Sequence, residues 1–298
     1  MNRNWQRTIM ILALMCAVAG LASASQEVNQ RYPVARGGEV SIESLAGTLT
    51  IEGWNSAEVE ISGTLGDGVD GIDVQNHEDG ISIEVKYDEG YHGRQAVETN
   101  LTIRVPSGAE LSVETVSASI SVSGLLGSVQ LESVSGAIHV AGKPSRLEIE
   151  NVSGKVSVDT APDKAELSSV SGAIRVGTAL GHLEAGNVSG SILIEGGELA
   201  GADLETVSGN ITCNAVPGAR GDVDMETMSG TITLVVKADA AASYHLETFS
   251  GGIANQIGPE ATKTSRYTSE KELRFNTGSG GPTITLSSFS GSIKLVTR

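Results

Sequence analysis

Five histidines, two cysteines and a large stock of serine, aspartate and glutamate are the residues of this chain that could do chemistry. The histidines, His77, His92, His139, His182 and His245, are scattered, and none has the close spacing of a metal or nucleophile constellation. The alternation places His139 and His245 on outward strand positions. Serines are plentiful enough to imagine a Ser-His-Asp triad, but no nucleophile-elbow sequence accompanies any of them. Cys213 stands where equivalent segments carry valine or isoleucine, so it reads as a buried structural thiol. No catalytic residue, cofactor or metal ligand is predicted.

The acidic residues are ordered. Glutamate recurs just before a small polar residue at Glu43, Glu114, Glu132 and Glu150, gives way to Ser168 and Gly186, returns at Glu205, Glu226 and Glu247, and ends at Ser287. If these positions stack, like charges stand about 5 Å apart, which costs stability unless water, cations or a basic partner screens them. The plain reading is a solvated row that discourages edge-to-edge aggregation. The functional reading is a binding face at Glu114, Glu132, Glu150, Glu205, Glu226 and Glu247 for cationic peptides, basic proteins or divalent cations. The rows lack the glycine and aspartate offsets of the calcium-binding nonapeptide repeat.

What would stack them is an internal repeat. Val-Ser-Gly or a close variant places its serine at 117, 135, 153, 171, 189, 208, 229, 250 and 290, at intervals of 18, 18, 18, 18, 19, 21, 21 and 40 residues. A weaker copy is Leu45, Ala46, Gly47. Around each, apolar residues alternate with polar ones, as in Val129 and Leu131 before the bend and Ile138 and Val140 after it. Period two on both sides predicts two short strands joined at a Ser-Gly bend.

One such unit cannot bury its apolar faces alone, whereas successive copies stacked in register bury a continuous stripe. The expected fold is all-β: a single-domain parallel β-solenoid of about 18-residue coils with atypical terminal coils. The bend glycine is expected to supply backbone angles that side chains tolerate poorly. The residue two before each serine (Thr115, Ser133, Asn151, Ser169, Asn187, Thr206, Thr227, Thr248, Ser288) is always small and hydrogen-bonding, fit to satisfy backbone groups at a corner. Aromatic residues at only 3% suit coils too thin for rings.

The remaining segments divide around this array. Arg3 and Arg7 precede an apolar run, Ile9 to Ala19, and the small triplet Ala22, Ser23, Ala24, which predicts a signal peptide over 1–24. The run is too short to span a bilayer comfortably, and Met15 and Ala13 before Cys16 argue against lipidation. An N-terminal linker (25–39), an N-terminal β region and cap (40–110), regular repeats (111–255), and an insertion loop with a capping coil (256–298) follow. Residues 86–98 read as a polar loop, and 258–271, with Arg266 and Tyr267, as the insertion. Losing 1–24 moves the formal charge from −16 to −18, a balance that repels nucleic acid and anionic lipid. Cys213 is then the only cysteine, so the core must hold the fold without an intrachain disulfide. Export to the periplasm or the cell surface is expected, with no membrane span after cleavage.

The repeated Val-Ser-Gly, Trp54 after Thr-Leu-Thr-Ile-Glu-Gly, the Val105-Pro106-Ser107-Gly108 step and the terminal Gly-Ser-Gly-Gly-Pro-Thr-Ile-Thr-Leu-Ser-Ser-Phe-Ser-Gly-Ser-Ile resemble the "putative adhesin" family of bacterial β-strand-repeat proteins, the DUF4097 class, over about residues 35 to 298. The resemblance implies a right-handed solenoid in an exported or membrane-linked protein, some members resembling sensors of envelope stress and antimicrobial peptides, and it supplies no catalytic residues. Three functions are weighed: a non-catalytic adhesin-like scaffold of the cell envelope; an acidic binding or sensing module; and, remotely, a carbohydrate-active enzyme. The last needs a cleft of long loops bearing acids and bases, and coils of 18 residues leave little chain to build one.

Overall fold

The computed structural model describes residues 26–88, 99–219, 221–264 and 269–297. The expected signal peptide, His92, Arg266 and Tyr267 lie outside them. Among the described residues there are 25 strands in one continuous sheet and no helix.

The solenoid forms as the repeat requires. Strand Arg146–Ser153 pairs in parallel with Ser128–Ser135 on one side and Lys164–Ser171 on the other, with Ile149 opposite Leu131 and Leu167. After the bend, Val156 and Val158 pair with Ile138 and Val140 and with Ile174 and Val176. Leu147, Ile149, Val156 and Val158 are completely buried, so each coil contributes two inward pairs to one apolar column. Fully burying such a side chain is worth about 1.5–3 kcal/mol.

The bend glycines have a cause other than the expected one. Only Gly47, Gly136 and Gly154 among them have φ in the left-handed region, at +113°, +149° and +127°. Elsewhere the reason is close approach. A Cβ on Gly172 would stand 1.8 Å from the carbonyl oxygen of Gly154, and the same clash recurs at Gly190 on Gly172 (2.1 Å) and Gly230 on Gly209 (1.8 Å). The coils stack glycine on glycine, with no room for a methyl group between them.

Stacking in sequence order fails at both ends. Strand Glu39–Trp54 pairs inward with Glu110–Ser123 and outward with Gly80–Tyr87 and Asn100–Pro106, so the coil of 80–106, second of the three in sequence, lies outside the first. At the other end Thr283–Ser288 and Ser292–Thr297 lie between the coil of 223–236 and the coil of 242–255. Each end is then closed by antiparallel strands: Glu58–Leu65 on Asn100–Pro106, and Lys271–Thr277 on Ala242–Thr248. These antiparallel strands cover an edge that a parallel array would leave open. Rings gather here too: Tyr244 stacks on Phe275 at 4.7 Å, and Trp54 Nε1 donates to the Glu58 carbonyl at 2.8 Å. Lys86 and Tyr87, expected in a loop, belong to strand Gly80–Tyr87, where the Tyr87 hydroxyl bonds Ser44 Oγ and accepts from the Ala46 amide.

Candidate functional site

Where each coil turns from its first strand into the bend, three consecutive residues take fixed roles. In Glu132-Ser133-Val134 the serine points inward while its neighbours face out. The inward position holds Ser44, Thr115, Ser133, Asn151, Ser169, Asn187, Thr206, Thr227, Thr248 and Ser288, every one at 7% exposure or less. Thr115 Oγ1 donates to Ser133 Oγ at 3.1 Å. Asn151 Oδ1 accepts from the Ser153 amide, and Asn187 Nδ2 donates to the Gly172 carbonyl at 2.5 Å. The expectation that this row serves the corner backbone is correct for Asn151 and Asn187, while Thr115 and Ser133 bond each other.

The outward neighbours form two parallel rows. One is the glutamate row, with register running Glu84, Glu43, Glu114, Glu132, Glu150, Ser168, Gly186, Glu205, Glu226, Ser287, Glu247. The structure thus brings Glu114, Glu132 and Glu150 together and extends them with Glu43 and Glu84. It sets Glu205 beside Glu226, and it parts Glu247 from both by the inserted coil. Among the described residues Glu43, Glu114, Glu150, Glu205 and Glu226 have no basic partner within ion-pair distance. Glu205 sits above the usual carboxylate range because of partial burial, reinforced by Asp203, Glu226 and Asp224. Asp224 is raised for the same first cause, then by Asp203 and Glu226.

The second row went unread in the sequence. Leu45, Val116, Val134, Val152, Val170, Val188, Val207, Met228, Phe289 and Phe249 are all 42–58% exposed and form an apolar ridge beside the acids. The signal was present, because strict alternation through the inward small polar residue puts the valine of Val-Ser-Gly on the outward phase. Between ridge and acids runs a trough of about 1030 Å³, floored by the small polar row and bounded at one end by Glu84, Lys86 and Tyr87. Lys86 is itself paired with Glu84.

The other candidates stay apart. His139 faces Asp159, His182 faces Glu184, and His245 faces Glu247 and Glu272, each pair on the exterior. Among the described residues no group of three or more His, Cys, Asp or Glu is arranged to hold a metal ion. Cys213 is fully buried between Ile194 and Leu234 in the register, and burial pushes its thiol up to about 12.

A parallel stack with antiparallel strands at both ends and an exterior trough running across its coils defines the class: a β-solenoid. The family model described as Toastrack DUF4097 matches residues 39–296, and the chain belongs to that family. In fold it is similar to a "putative adhesin" from Parabacteroides merdae, at 11% identity over 91% of this chain and 96% of that one, with a TM-score of 0.51. A "putative adhesin" from Bacteroides fragilis (15% identity, 92% and 98% covered, TM-score 0.45) and a "putative lipid binding protein" from Parabacteroides distasonis (16%, 91% and 97%, 0.44) also match. No curated protein matches the chain.

Proposed function

We propose that this protein is a non-catalytic, adhesin-like scaffold of the bacterial cell envelope, exported through the inner membrane to the periplasm or cell surface. The observation that carries this reading is the uniform exterior of the central stack. From 128 to 213 coil follows coil with short connections, so no loop wall rises to shelter a reaction from water. A rigid rod that repeats its surface presents many equivalent contacts, which suits attachment through many weak interactions. The test is display of residues 25–298 on beads and counting their attachment to bacterial and host-cell surfaces. Attachment above beads carrying a scrambled-repeat protein is expected; equal counts would remove the adhesive role.

The trough favours a second reading, an acidic binding module for cationic polypeptides. An acid wall facing an apolar wall complements a segment with basic residues on one side and apolar ones on the other. Basic proteins would use the same complementarity, and divalent cations the acid wall alone. Saturable binding of a fluorescent Lys/Val peptide, weakened by salt and by replacing Glu114, Glu132, Glu150, Glu205, Glu226 and Glu247 with glutamine, is the expected result. Unchanged binding by that variant would make the glutamate row a solubility device.

A further inference from the structure

Among the described residues nothing covers the apolar ridge, whose ten side chains are 42–58% exposed in one line. Together they expose on the order of 800 Å², the area each partner gives to a standard protein interface. The largest apolar patch of an ordinary monomer is about 300–600 Å². The two flanks of the ridge differ. On one side run the trough and the carboxylates of Glu114, Glu132 and Glu150; on the other, next along the chain, run exposed serines such as Ser135, Ser153 and Ser171. One flank therefore only accepts hydrogen bonds, and the other can donate them.

A second copy of the chain fits this asymmetry in one orientation. A two-fold axis laid along the ridge sets two rods face to face and pointing the same way. Each ridge then enters the trough of the other copy, and each glutamate row comes over the other's serine row, where hydroxyls donate to carboxylates. A two-fold axis laid across the ridge makes the rods antiparallel and sets glutamate row against glutamate row, which like charges oppose. Both copies repeat at the same spacing of about 4.8 Å, so the valines of one insert between those of the other. Met228 and the stacked rings of Phe289 and Phe249 put the larger side chains at one end, so a slip by one coil mismatches them.

We propose that ridge and trough together form the interface of a parallel homodimer, in which the valine ridge of each copy fills the trough of the other. Apolar burial drives the association, and the formal charge of −16 on each chain opposes it. Salt therefore tightens the dimer by screening that repulsion, whereas it weakens a cationic ligand held in the same trough. The two occupants compete for one space and respond to salt with opposite signs.

The experiment is sedimentation equilibrium on residues 25–298 at about 0.1 M and about 1 M salt, where the Debye length falls from about 10 to about 3 Å. It compares the wild type with Val134→Ser/Val152→Ser/Val170→Ser, whose fold is checked by melting curves. A wild-type dimer is expected, tighter at high salt and at least tenfold weaker in the variant. A monomer at both salts, a dimer that salt weakens, or a dimer that the triple variant leaves within twofold would each overturn the interface. Oxidative crosslinking then fixes the orientation, with Cys213 fully buried and out of reach. Two Val116→Cys chains should link to each other, because the axis along the ridge sets the same residue of both copies at one height. Linking of Val116→Cys only to Met228→Cys would show the antiparallel arrangement and overturn the parallel one. A monomer that saturably binds a Lys/Val peptide would give the trough to a cationic polypeptide and overturn the homodimer.

Discussion

The ring of Phe289 stacks on that of Phe249, with centroids 4.9 Å apart and 7° between the planes, although Met228 precedes Phe249 in the repeat. The last coil of the chain is therefore wedged between two earlier ones. Ile293, fully buried, pairs with Ile232 on one side and Ile253 on the other, and Ile253 is only half-buried.

Ile293→Ala should accordingly cost about 2–5 kcal/mol and lower Tm more than Ile253→Ala, because it leaves a cavity on both sides. Thermal melts of the two variants make the comparison. A stack in sequence order would give the opposite ranking, with the final coil the cheaper to weaken.

Two glycines separate packing from permissiveness. Gly172→Ala forces a methyl group to 1.8 Å from the Gly154 carbonyl and should destabilise by about 1–3 kcal/mol or more. Gly186→Ala meets open space and should stabilise by about 0.5–1 kcal/mol. Denaturant midpoints with unchanged slopes are the check; equal effects would mean that the glycine stacking is not what fixes the bend.

Much of this was legible because the repeat writes each role at a fixed offset. Leu131, Ile138 and Val140 announce the core by alternation, and Ser133 announces the corner by its constant small size. The ends were not legible, since nothing in 223–297 says that Ile293 rather than Ile253 joins Ile232: all three carry the same pattern, and only tertiary pairing chooses. The apolar ridge was missed for a related reason. Val134 looks like core by residue type, and only its place directly after the inward Ser133 turns it outward. The acidic row was legible residue by residue, whereas its interruption by Ser287 depended on the same unreadable threading.

The acid cluster on adjacent coils predicts an inverted pH response. Glu205 and Asp224 have raised values in the folded state, first through burial and then through Asp203 and one another's neighbours. The folded state therefore holds these protons more tightly than the unfolded one. Their ionisation destabilises the fold, so stability should rise as pH falls from 7 through the window just above the usual carboxylate range. Asp224→Asn should raise Tm at pH 7 and flatten that slope. Melts from pH 7 to 5 decide it: a Tm that falls over this interval equally in both proteins would refute the cluster as the cause.

Cys213 should behave as core. With its thiol pushed up to about 12 and no exposed surface, it has almost no thiolate at pH 8. A disulfide-exchange reagent should label it only at the rate of unfolding, and at once in denaturant. Cys213→Val should be tolerated within about 1.5 kcal/mol, because its stacked neighbours are Ile194 and Leu234. Rapid labelling of the folded chain would place the thiol at a surface.

Ser169 and Asn151 occupy the same corner position one coil apart but should respond in opposite directions. Asn151 accepts from the Ser153 amide at 3.1 Å and donates to the carbonyls of Gly136 and Gly154, so Asn151→Ala leaves buried backbone groups unmet and should cost about 1–3 kcal/mol. Ser169 Oγ has no partner, so Ser169→Ala removes a buried hydroxyl that contributes no bond and should be neutral or stabilising. Melting curves of both variants make the comparison. A drop in Tm for Ser169→Ala as large as that for Asn151→Ala would mean that the Ser169 hydroxyl bonds the corner backbone as Asn151 does.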